Sequence, residues 1–181
     1  MTNAARTLAG VLLMAILPVP RVAHAGVIDT PLPTFSDGKP SVRVYNAVGV
    51  IKGNNLQTDF ICTNIDSVTV DIGVELFDET GALRNSIGAN DGSFVNVTPG
   101  VTVTVGTGAT AEFHEDKTIT FNASGNGADE LINGSARVVA TTKNVACTAI
   151  IADKFHTIVD PAVSPSAPAP SFTNLPLIRV P

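Results

Sequence analysis

Tryptophan is absent from this chain of 181 residues, and tyrosine occurs once. A flat aromatic platform for stacking bases or sugar rings is therefore not expected. Lys and Arg number 11 against 16 Asp and Glu, which leaves no basic surface to hold a phosphate backbone; nucleic acid is not an expected partner. There is no G-x-S-x-G elbow, phosphate-binding loop or dinucleotide fingerprint. The G-T-G at Gly106 to Gly108 has no helical pattern after it. No long helix is expected after the first 25 residues. These absences predict a chain that is not an enzyme and carries no cofactor.

The first residues carry an address. A short basic start at 1–6 precedes an apolar run of ten, from Leu8 to Leu17. That run is too short for a hydrocarbon core needing roughly 20 helical residues. Pro18 and Pro20 follow, then Ala23-His24-Ala25, with small residues where a signal peptidase reads. Residues 1–25 are therefore read as a cleaved signal peptide, with no membrane span afterwards and a secreted or periplasmic location that extends to the cell surface. Cleavage leaves 156 residues with nine Lys and Arg, a net charge of −7. That length is enough for one domain with a substantial core.

Within it, 26–40 holds Pro31, Pro33, Pro40 and the turn pair Asp37-Gly38, and reads as an extended arm. Residues 41–159 read as a β-domain. Residues 160–181 hold six of the 12 prolines and read as a Pro-rich tail whose end is apolar again.

The clearest strand pattern spans 68–77. Val68, Val70, Ile72, Val74 and Leu76 alternate with Thr69, Asp71, Gly73 and Glu75, predicting one buried and one wet face. Further strands are predicted over 42–51, 56–63, 82–87, 93–97, 101–105, 110–115, 118–122, 135–142 and 145–152. Hairpin turns are predicted at Asn64 to Ser67, at Thr98-Pro99-Gly100 and at Lys143-Asn144. The second is a type II turn, with Gly100 at positive φ. The strands over 135–142 and 145–152 are apolar on both faces, which places them centrally in a sheet. A helical turn or loop is expected near Ala128 to Ile132.

Two cysteines, Cys62 and Cys147, both fall on apolar strand faces. An exported chain with an even count favours a disulfide. About nine short strands with turn signals predict an all-β fold, a two-sheet β-sandwich of immunoglobulin-like or jelly-roll-like type. Cysteines on an early and a late strand resemble, in outline, the bridge between sheets of immunoglobulin-like domains. That resemblance implies a bond clamping two layers. The chain departs from it in lacking the buried Trp and in having Val145 two residues before Cys147, where a Tyr would stand.

Residues able to do chemistry are few. Glu112, His114 and Asp116 share one face of a predicted strand and are the weak metal candidates, although i and i+2 neighbours stand roughly 7 Å apart. His156 has no nameable partner. The acidic turns Asp78-Glu79, Asn90-Asp91 and Asp129-Glu130 lack the regular spacing of a calcium loop. Sequons begin at Asn96, Asn122 and Asn133.

The expected function is a secreted or periplasmic, non-catalytic binding or structural domain. The first alternative is a self-assembling subunit of a surface fibre, adding 27–35 (Val27 to Phe35) or 175–180 (Leu175 to Val180) as a strand to a neighbour. The second is a metal-dependent hydrolase using the Glu112, His114 and Asp116 face.

Overall fold

A computed structural model of the chain describes residues 26–53, 55–109, 115–121, 130–154 and 172–181. The predicted signal peptide, Glu112, His114, the sequon at Asn122, Asp129 and His156 lie outside the described residues. The described chain is all-β. Its strands are β1 (Val42–Gly53), β2 (Leu56–Asn64), β3 (Val70–Phe77), β4 (Ser93–Val97), β5 (Thr102–Gly106), β6 (Lys117–Thr118), β7 (Leu131–Ala140), β8 (Val145–Asp153), β9 (Phe172–Leu175) and β10 (Leu177–Arg179). The strand predicted over 82–87 is reduced to an isolated Phe77↔Leu83 bridge, and a 3-10 turn at Ile87–Ala89 follows it. The helical turn expected near Ala128 to Ile132 gives way, from Leu131 on, to the start of β7.

Hydrogen bonding joins the ten strands into one network, antiparallel except for the β5–β6 pair. Its pairing falls into two runs, β4-β3-β7-β1-β10 and β6-β5-β2-β8-β9. They meet where β1 turns into β2, through only Lys52↔Gln57 and Gly53↔Leu56. Beyond those pairs the Thr58 hydroxyl takes over from the ladder, accepting from the Ile51 N–H and donating to the Ile51 carbonyl, each at 3.0 Å. The β1 register shifts between Val48 and Val50, a bulge at Gly49, whose φ is 83°. One core cluster draws on both runs: Val44, Ile72, Leu76 and Val138 from the first, Phe60, Val105, Val145 and Ala149 from the second. The arrangement is consistent with an all-β sandwich.

Three predicted hairpins are not hairpins. β2 and β3, β4 and β5, and β7 and β8 follow one another in sequence but do not pair, so each connection crosses from one run to the other. The local turn chemistry is nevertheless present. Gly100 has φ 79°, and the Val101 N–H donates to the Thr98 carbonyl at 3.1 Å. Asn64 ties two of these crossings together. Its Nδ2 donates to the Val68 and Val97 carbonyls, each at 2.8 Å, and its backbone pairs with Val101 and Gly100. β7 lies between β1 and β3, and β8 between β2 and β9, the central positions their two apolar faces predict.

All eight residues of β3 are buried, so the face expected to be wet is dry. The 26–40 arm and the 3-10 turn lie over it. Phe35 and Ile87 join Val139 in a small second cluster, away from the main core. Beneath the arm, Arg137 is 1 % exposed and ion-paired with buried Glu75 through its Nε. Its two terminal nitrogens donate to the Thr30 carbonyl at 2.7 Å and the Pro31 carbonyl at 2.6 Å. Each of the three guanidinium nitrogens thus has a carbonyl or carboxylate acceptor.

At the other end of the chain, β9 pairs with β8 and β10 with β1, so the last strands run along an edge of both runs. Pro176, with no N–H to give to a ladder, stands at the switch between them. No helix among the described residues is long and apolar enough to cross a membrane.

Candidate functional site

Cys62 and Cys147 form a disulfide, as the compartment argument expects. The resemblance to an inter-sheet bridge does not hold. Cys62 stands opposite Cys147 in the β2–β8 ladder with Cα atoms 4.2 Å apart, the spacing of a non-hydrogen-bonded pair, so the bond links two adjacent strands. It clamps two strands of one run rather than two layers.

Of the metal candidates, only Asp116 is described. Its carboxylate accepts the Thr104 N–H at 2.7 Å, a contact that pins the 115–118 segment to β5. The acidic turns are filled by the protein itself. Asp78 Oδ1 accepts from the Thr80 N–H and hydroxyl and the Ala82 N–H. Partial burial works against ionisation of Asp78, but these bonds outweigh it and hold its pKa below the usual range. At Asn90-Asp91 the Lys117 ammonium donates to the Asn90 carbonyl at 3.2 Å and to its side chain at 3.1 Å, where a cation would otherwise sit. Asn96 and Asn133, which open two of the sequons, both take positive φ.

The polar centre that sequence reasoning passed over is on β2. Gln57 and Asp59 point away from the Phe60 and Cys62 face, yet they are 1 % and 0 % exposed. They are roofed by the chain from Gly106 to Ala109 and by Glu115. Asp59 stands opposite Gly106 on β5 and Ile150 on β8. Gln57 Nε2 donates to Glu115 Oε1 at 3.0 Å. Neither carboxylate oxygen of Asp59 nor Gln57 Oε1 has a hydrogen-bond partner among the described residues. Burial first and the negative charge of Glu115 second push the Asp59 carboxyl up to about 7, against a weaker pull downward from the neighbouring Gln57 amide, which lies outside normal hydrogen-bond geometry.

Glycine is required here for space. A Cβ at Gly106 would come within 2.7 Å of Asp59 Oδ1 and 2.6 Å of the Gly108 carbonyl oxygen. Beside this centre opens a polar cleft of about 470 Å³, bordered by Lys52, Asn55, Gln57, Gly108, Glu130 and Lys154. Gln57 and Gly108 belong to both, so the cleft adjoins the buried centre. The signal was available: an Asp at the middle of a strand otherwise apolar or Thr-rich opposes β-propensity.

Fold and site together define a disulfide-bonded all-β domain with an unsatisfied oxygen-rich centre. No family model, curated protein or solved structure matches the chain.

Proposed function

We propose that the chain is an exported, non-catalytic β-domain that works as a binding or structural module outside the cytoplasm. The Cys62–Cys147 disulfide is the observation that carries this reading. A cross-strand bond between buried Cys62 and half-buried Cys147 is favoured by an oxidising compartment, and the signal-like 1–25 segment supplies the route to one. The docked termini add support. The arm is held by Arg137, and β9–β10 cover strand edges that would otherwise invite aggregation.

The test is fractionation of cells expressing the full chain, with mass measurement of the exported product. A product beginning at Gly26 and lacking free thiols is expected; retention of the whole chain in the cytoplasm overturns the reading.

A second reading, strand addition between copies, is favoured by the position of β9 and β10. They are edge strands at the chain end, joined to β8 through residues 155–171. Such a segment can pair with its own domain or with a neighbour's. Native mass spectrometry across a concentration series separates the two readings. Oligomers of the full chain that grow with concentration and dissociate when a peptide of sequence 172–181 is added support exchange; a single monomer at all concentrations rules it out.

A further inference from the structure

We propose that Asp59, Gln57, Glu115 and the Gly108 carbonyl form a calcium site at the inner end of the cleft beside β2. Two acidic groups alone would carry little weight. The deciding observation is that the two innermost side chains, 0 % and 1 % exposed, present three oxygens with no donor to satisfy them. Leaving a buried carboxylate unpaired is among the more expensive things a fold can do.

The four proposed ligands offer oxygen, apart from Gln57 Nε2, which is turned to Glu115, while Lys52 and Lys154 border the cleft outside them. A soft or imidazole-seeking metal has nothing to bind there. Among the described residues no three His, Cys, Asp or Glu side chains gather. The proposed set therefore mixes two carboxylates with an amide and a main-chain carbonyl, the mixture calcium accepts. Two carboxylates also balance a divalent charge.

The close approach is built in. One point, where Gly106 lacks a Cβ, lies 2.6 Å from the Gly108 carbonyl oxygen, 2.7 Å from Asp59 Oδ1 and 2.7 Å from Glu115 Cγ. A Cβ at Gly108 would likewise fall 2.8 Å from Gln57 Oε1. A side chain at either glycine would thus crowd the oxygens beside it. Magnesium fits less well, because it demands a near-octahedral shell and gives up water reluctantly. The adjoining cleft provides an entry path and room for the waters that would complete six to eight ligands.

The experiment uses the purified protein stripped with a chelator at pH 8. It is titrated calorimetrically with CaCl2 or MgCl2 and melted with each salt at matched ionic strength. Calcium should bind with one-to-one stoichiometry and raise Tm by about 5 °C, while magnesium does markedly less. Asp59→Asn should abolish the heat and the shift, and Glu115→Gln should weaken binding about tenfold. Should Asp59→Asn fail to fold, the partly exposed Glu115→Gln variant and the wild-type titration decide. No calcium heat in the wild type, equal response to magnesium, or an undiminished calcium shift in Glu115→Gln overturns the proposal.

Discussion

Arg137 and Asp59 are buried charged residues with opposite fates. Arg137 has an acceptor at each of its three nitrogens, and burial holds the Glu75 carboxyl above its usual range, with Arg137 pulling it back. Arg137→Met strands that carboxylate and frees the arm carbonyls. Urea unfolding is expected to show a loss of about 3–5 kcal/mol.

Asp59 has no such partner, and its pKa sets the sign of a pH effect. A carboxyl raised to about 7 in the folded state binds its proton more tightly there than in the unfolded chain. The stabilisation is complete below about pH 4 and is lost as pH rises towards 7, on the order of 4 kcal/mol without divalent cations. Asp37 and Asp66 act in the reverse sense, since hydrogen bonds lower their pKa values and their contribution disappears in acid. In chelator-treated protein, Asp59→Asn should flatten the fall between pH 4 and 7 and leave the variant more stable than wild type at pH 8. Denaturant midpoints across that range are the measurement; an unchanged slope would remove Asp59 from the account.

At the scale of the element, strands were legible and their partners were not. Period-two alternation located β2, β3, β4, β5, β7 and β8 to within a few residues, because burial of one face imposes that pattern wherever the strand pairs. Turn residues behave differently. Thr98-Pro99-Gly100 fixes a local reversal, and Gly100 does adopt the positive φ it implies. The same reversal serves a hairpin or a crossing, and non-local packing decides between them. The buried second face of β3 was illegible for a related reason. Asp71 and Glu75 look solvated in sequence, but their partners, Lys39 and Arg137, come from the arm region and from β7.

Asp59 was half legible. Its oddity shows in the strand, but its surroundings depend on Gly106, Gly108 and Glu115, which only folding brings near. The terminal strands give the prediction proper to this scale. Removing 172–181 uncovers β1 and β8 along one edge, so the truncated protein should associate at micromolar concentrations and recover monomeric behaviour when a peptide of that sequence is added. Analytical ultracentrifugation reads both outcomes.

For the whole molecule, the central claim is that an exported chain folds into one all-β domain with β2 and β8 locked side by side. The covalent lock spans 85 residues of sequence, which in the chain-entropy model contributes about 4.5 kcal/mol. Reduction should therefore lower Tm by many degrees without changing the β-rich circular dichroism below the transition. The most direct measurement is peptide mapping, under non-reducing conditions, of protein recovered from the exported fraction and alkylated before digestion. The expected result is a single cross-linked pair of peptides containing Cys62 and Cys147, with no alkylated cysteine. Two alkylated thiols in that fraction would contradict both the compartment and the pairing of β2 with β8.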